Sequence, residues 1–241
     1  MSIYTTKAIV ISSIKYSDTS LIVRLYTLEK GLQSFMLRGV LSSRKGKLKA
    51  AYFFPLMQLT IVANIKDNRN LQSIKDVSVS NHYNSLNTDI VKQSLVVFLS
   101  EILSNSIREQ EKNESLFQFL ESSFLWLDSN EKIGDFHLLF LLQLTKYLGF
   151  YPDVSLIQLN AFNLLEGEFT NYTLDNHSIK GDKLAIFKRL LGTNFDVLES
   201  IHFSKKERKE LLTILTNYYE LHLDGFKQPK SLHVFETVFS K

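Results

Sequence analysis

Cysteine is absent from the 241 residues, and glycine (9) and proline (3) are scarce. Without cysteine there is no disulfide scaffold, no thiol nucleophile, no iron–sulfur cluster and no cysteine-ligated zinc. So little Gly and Pro, beside 44% apolar and 12% aromatic residues, excludes a collagen, a low-complexity polymer or a disordered tail. A long apolar run is missing too. The most apolar stretch, Phe136 to Phe150, is too short to span a bilayer and contains His137, Gln143 and Lys146, so a buried helix is expected there. Residues Met1 to Val10 lack the basic-then-apolar layout of a secretory signal. A cytoplasmic location is therefore expected, and Asn113-Glu-Ser and Asn171-Tyr-Thr read as chance glycosylation patterns.

Catalytic machinery is equally scarce. No Gly-x-Ser-x-Gly elbow or His-Glu-x-x-His zinc motif occurs. The loop Gly39 to Lys47 looks like a phosphate loop, but six residues separate its glycines and Leu48 stands where a hydroxyl is required. Ser12-x-x-Lys15 and Ser42-x-x-Lys45 lack the partner motifs of a β-lactamase. The histidines, at 82, 137, 177, 202, 222 and 233, include no i, i+4 pair. A non-enzymatic protein is expected.

What the chain does hold is an uneven charge. Residues 1–80 carry 12 Lys+Arg against 4 Asp+Glu, an excess of +8, whereas residues 81–241 carry 16 against 21, or −5. That asymmetry suits a polyanion at one part and packing or protein contacts at another. The hydrophobic period changes at the same place. Tyr4–Ile14, Leu21–Leu28, Leu32–Leu37, Tyr52–Ile65 (bent near Pro55) and Leu71–Val79 read as five strands of a small closed barrel, with turns at Glu29-Lys30-Gly31 and at 67–70. Beyond about residue 81 the period is helical. Helices are expected from Thr88 or Asp89 to Ile107, over Glu114–Leu127, from Asp135 to Gly149, over Asp182–Leu191, and from the capping box Ser204-Lys-Lys-Glu207 to Leu223. Residues 151–180 read as irregular, with short strands near Glu168–Leu174, and the tail Ser231-Leu-His-Val-Phe is expected to dock on the helices. The fold class is α+β: a barrel domain over 1–80, then a helical bundle over 81–241.

Cations interleave with aromatics on the barrel. Lys7, Lys15, Arg24, Arg38, Arg44, Lys45, Lys47 and Lys49 lie near Tyr16 and Tyr52. Single-stranded nucleic acid calls for this mixture, because cations follow phosphates while flat rings stack on bases. Arg44 to Lys49 puts four cations in six residues, which packing does not require. Tyr26 and Phe35 either stack on bases or fill the barrel. A rival reading is an adaptor whose barrel binds protein, in which the basic loop would be dispensable.

Several segments together carry a resemblance: Thr6-Lys-Ala-Ile-Val-Ile, Tyr16-Ser-Asp-Thr-Ser, Tyr26-Thr-Leu-Glu-Lys-Gly31, Leu37-Arg-Gly39, Leu141 to Asp153 and the Ser231 tail. In this order and spacing they resemble the RecO family of bacterial recombination mediators over the whole chain. The resemblance implies an N-terminal OB barrel and a C-terminal helical domain. It also implies binding of single- and double-stranded DNA, annealing of complementary strands, and help in loading RecA onto strands coated by single-strand-binding protein (SSB). The implied partners are RecR and the acidic SSB tail. Such a tail, ending in Phe, needs an apolar pocket ringed by cations, for which Lys188, Arg189, Lys205, Lys206, Arg208 and Lys209 are the candidates. Many family members carry a four-cysteine zinc site where this chain has Val154 to Leu174. With no Cys there, no metal or other cofactor is expected, and Leu159, Phe162, Leu164, Leu165 and Phe169 are expected to stabilise the region by packing.

Overall fold

The computed structural model describes residues 2–42, 48–66, 69–172, 177–196, 198 and 201–239. Five strands come first: β1 (Ser2–Lys15), β2 (Leu21–Thr27), β3 (Gly31–Leu37), β4 (Gln58–Ile65) and β5 (Ser73–Val79). They form one antiparallel sheet in the order β3-β2-β1-β4-β5, an OB-type arrangement. Alternate residues point inward, so Val23 and Leu25 of β2 meet Leu59, Ile61 and Ala63 of β4 in one buried core with Phe35 and Phe53. The barrel is not closed by a continuous ladder. Among the described residues its edges join at one parallel bridge, Phe35 to Gln72, with Gln72 N–H donating to Ser34 O (2.8 Å) and Met36 N–H to Gln72 O (3.0 Å).

The strand expected from Tyr52 to Ile65 starts later. Ala50–Phe53 is a single 3-10 turn, and Leu56 has a left-handed φ of 62°. Its N–H donates to Val10 O (2.7 Å), and Val10 N–H donates to Met57 O (2.9 Å). The β1 register slips just there, between Val10 and Ser12. The bulge and the bend are thus held to each other, and β4 begins only at Gln58.

Two helices belong to the same compact unit, Met1–Ser129. The first, α1 (Ile90–Ser106), is capped by Asp89, whose carboxylate accepts from the N–H groups of Val91 and Lys92. The second, α2 (Glu114–Ser129), buries Leu116, Phe117, Leu120, Phe124 and Leu127. The barrel-to-helix linker is pinned by Asp128, which accepts from Asn84 N (2.9 Å), Ser85 N (2.8 Å) and Leu86 N (2.9 Å). Lys92 Nζ donates to the Asp128 carbonyl (2.7 Å) and to Ser85 Oγ (2.6 Å). Burial opposes ionisation of Asp128, but the three N–H donors and the Ser85 hydroxyl outweigh it and hold the pKa below the usual value. A carboxylate with a depressed folded pKa contributes stability above its unfolded pKa, and that contribution fades as pH falls through the folded pKa. Asp128→Asn is therefore expected to cost about 2 kcal/mol at pH 7, since its NH₂ would face N–H donors. In urea unfolding the gap from wild type should narrow below about pH 4.

The second compact unit is Asn130–Lys241. It contains α3 (Phe136–Leu148), β6 (Ala161–Asn163), β7 (Glu168–Thr170), β8 (Ser178–Lys180), α4 (Asp182–Leu191), α5 (Lys205–His222) and α6 (Leu232–Phe239). The two units divide elsewhere than the change of hydrophobic period near residues 80–86, because α1 and α2 go with the barrel. Nor is the second unit all helical: β7-β6-β8 make a small antiparallel sheet. Helix α3 is buried nearly all round and ends at Gly149, whose φ of 86° stops it. The Ser204–Glu207 capping box opens α5. The tail forms α6, whose Phe235 ring meets His137 edge-on at 4.8 Å. Burial lowers the His137 pKa to about 3, so this ring stays neutral. Among the described residues no helix is long and apolar enough to cross a membrane.

Candidate nucleic-acid interface

The cations expected to meet nucleic acid separate into two groups. Lys7 Nζ pairs with Glu121 of α2 at 2.9 Å. Arg24 turns toward α1, donating to Ser104 O (3.1 Å), Ser104 Oγ (2.9 Å) and Ile107 O (3.4 Å), and burial lowers its pKa. These two tie strands to helices within the first unit.

The other group faces solvent. Lys15 and Tyr16 stand at the β1–β2 turn, where Tyr16 is 65% exposed and Lys15 lies 3.4 Å from Asp18. Such an exposed pair contributes little, so Lys15 remains open to a phosphate. The register places Lys15 opposite Leu21 and Leu21 opposite Leu37, which brings the exposed Arg38 to the same end of the sheet. Leu41 N–H donates to Thr19 O (3.0 Å), joining the β1–β2 turn to the chain leaving β3. Exposed Lys49 lies over the half-buried Tyr52 ring, 5.9 Å from its centroid, so Tyr52 packs on the core and serves its own cation. Arg44, Lys45 and Lys47 lie outside the described residues. Phe35 is buried in the barrel core, whereas Tyr26 is buried on the outer side of β2 against α2, its ring 6.4 Å from that of Phe117 and its hydroxyl donating to Asn113 O (3.5 Å).

Sequence reasoning missed Lys66 and Arg69. A groove of about 430 Å³ opens where the β4–β5 hairpin meets the end of β3, and Arg38, Lys66 and Arg69 line it with Leu48, Leu71 and Gln72. In sequence these cations are isolated. Only the joining of the two sheet edges brings them together.

The second unit has a groove of its own, of about 600 Å³. Leu164, Ile179 and Ile214 supply apolar walls, and Lys180, Lys183, Lys206 and Lys209 surround them. Of the six cations expected at an acidic tail, two line this groove. Lys188 donates to Leu159 O (2.8 Å). Arg189 pairs with Glu207 at 2.6 Å, and Arg208 approaches Asp135 at 3.6 Å. Lys205 is exposed at the start of α5.

The hydrocarbon of the segment 154–174 gathers around Phe162 among the described residues. The Phe162 ring meets Phe169 at 4.9 Å and Phe187 at 5.0 Å, with Leu164 and Ile179 buried beside them, while Leu165 is 45% exposed and adds nothing to this core. Among the described residues no group of three or more His, Asp or Glu side chains is placed to hold a metal ion.

An OB-type sheet with an exposed cationic end, followed by helices, defines an α+β protein of OB-like architecture. The chain belongs to the recombination protein O (RecO) family: the N-terminal family model, "Recombination protein O N terminal", matches residues 1–83, and the C-terminal one, "Recombination protein O C terminal", matches residues 87–233. It is 48% identical over 234 residues to the DNA repair protein RecO of Christiangramia forsetii, covering 97% of this chain and 98% of the relative. It is 46% identical over 235 residues to that of Flavobacterium psychrophilum (98% of each chain) and 34% identical over 238 residues to that of Bacteroides fragilis (97% and 98%).

Proposed function

We propose that this protein is a non-catalytic DNA repair and recombination mediator. It binds single- and double-stranded DNA, anneals complementary strands, and acts with RecR to assist RecA loading on SSB-coated strands in the cytoplasm, at the nucleoid. The observation that carries this reading is the convergence of Arg38, Lys66 and Arg69 on one groove. In OB folds the face of strands 2 and 3 and the loops between strands 1–2 and 4–5 take oligonucleotides. Here those two loops lead to Lys15 and Tyr16 and to Lys66 and Arg69. Annealing needs cations because two backbones repel, and it needs contacts that read no sequence so that register can be searched. The test is annealing of SSB-coated complementary oligonucleotides at rising salt. Neutralising six or more phosphates should cost roughly 10³-fold in affinity between 50 and 200 mM salt. A flat salt response would support the adaptor reading instead.

The groove of the second unit suits the SSB tail. Its apolar walls fit a terminal Phe, and its four lysines suit the acidic residues before it. A labelled acidic peptide ending in Phe should bind, and Lys206→Glu with Lys209→Glu should weaken it at least about tenfold, since like charges would then face each other. Fluorescence anisotropy reads both. Undiminished binding to the double variant would move the tail site elsewhere.

A further inference from the structure

We infer that Gln72 is a positioning residue, which holds the Lys66 and Arg69 backbones so that both cations reach the groove beside Arg38. The inference rests on the nucleic-acid reading of that groove. Gln72 is 5% exposed, and its side chain imitates a peptide group. Its Oε1 accepts from Lys66 N–H (2.9 Å), and its Nε2 donates to Lys66 O (2.9 Å) and Arg69 O (2.6 Å). A further bond, Arg69 N–H to Lys66 O (3.1 Å), tightens the same turn. The backbone of Gln72 meanwhile makes the bridge to β3, through Ser34 O and Met36 N–H.

One residue thus fixes the hairpin with its side chain and the neighbouring strand edge with its main chain. Arg38 follows β3 directly, so the two sources of positive charge are indexed to each other through Gln72. A buried amide whose donors and acceptor are all matched to backbone groups holds one geometry strongly, because each alternative leaves a polar group unsatisfied. Cations held this way lose less freedom when a phosphate arrives than cations on a loose turn.

The test is a double-mutant cycle on binding of a labelled oligothymidylate, with Gln72→Met as the first change. Methionine keeps the buried volume and the backbone bridge but removes the side-chain hydrogen bonds. Gln72→Ala serves as a second version, and circular dichroism checks the fold of each. K66A/R69A is the other side of the cycle, expected to weaken binding about 30-fold near 0.1 M salt by losing two phosphate contacts. Gln72→Met should weaken binding about fivefold in the wild-type background through the lost ordering of two side chains, and less than twofold once both cations are gone. A fivefold loss that persists without the cations would overturn the inference, making Gln72 a general support. So would unchanged binding of Gln72→Met in the wild-type background, or loss of the folded state in both Gln72 variants. If K66A/R69A alone leaves binding intact, the reading of the groove itself fails, and the inference fails with it.

Discussion

Replacing Arg44, Lys45, Lys47 and Lys49 together by alanine is expected to weaken single-strand binding about 10³-fold near 0.1 M salt, equally for every base sequence. Each phosphate contact on a single strand contributes a power of roughly 0.7 in salt concentration, so four contacts multiply to nearly three powers of ten at about 0.1 M. The slope of log affinity against log salt should fall by roughly 3 for the same reason. Duplex binding should fall as well, since both ligands present the same backbone. The uniformity across sequences matters as much as the size. A loop that tracks phosphates reads no base edges, so a loss confined to one composition would point to base recognition. Folding should be unaffected: four cations in six residues repel one another, and Lys49, the one member of the four in the described structure, is exposed, its Nζ 5.9 Å from the Tyr52 ring centroid. An unchanged salt slope would show that these cations do not sit on phosphates and would favour a protein-binding barrel.

The parts of this molecule that were legible in sequence are those fixed by neighbours along the chain. The α1 period at 91, 95, 98, 99, 102 and 103 corresponds to a helix in which Leu95, Phe98, Leu99, Ile102 and Leu103 are buried. Asp89 and the Ser204–Glu207 box act as caps through side chains that accept from backbone N–H groups two or three residues away. The illegible parts depend on distant partners. Tyr52 to Ile65 has the apolar content of one strand, and what breaks it is a pair of hydrogen bonds from Leu56 and Met57 back to Val10. Strands β6 and β8 are three residues each, too short for a period, and exist through pairing across the sheet. The site divides by the same rule. A cation's sign is visible in sequence, but Lys7 meets Glu121 across 114 positions and Arg24 meets Ser104 across 80. Lys66 and Arg69 gain their meaning only when Gln72 meets β3.

Gly31→Ala should be the most damaging single change in the first unit, costing about 3–5 kcal/mol from backbone strain and overlap together. Gly31 sits at the β2–β3 turn with φ +56°, a conformation that costs a side-chain-bearing residue about 1–2 kcal/mol. The larger part is steric. A Cβ there would lie 2.3 Å from Glu111 O and 2.9 Å from Glu111 N, which are backbone atoms and cannot rotate away. They belong to the α1–α2 linker, which cannot easily retreat either. Leu32 N–H donates to Glu109 O (3.1 Å), Arg24 reaches Ile107 O (3.4 Å), and Lys112 pairs with Glu29 (3.2 Å). Relief of the overlap would break several of these bonds and lift the linker off buried Tyr26, whose hydroxyl faces Asn113 O (3.5 Å). Gly39 supplies the control within the same unit. Its φ is +70°, but among the described residues an added Cβ would meet only Ser42 Oγ, at 3.8 Å, so Gly39→Ala is expected to carry the conformational cost, about 1–2 kcal/mol. Thermal melting should separate the two, with a shift of roughly 2–4 °C per kcal/mol for a chain of this size. Gly31→Ala is then expected to melt about 10 °C or more below wild type, and Gly39→Ala about 5 °C below. Equal shifts would mean that the linker yields to the new methyl group and that the close approach at Glu111 adds no constraint of its own.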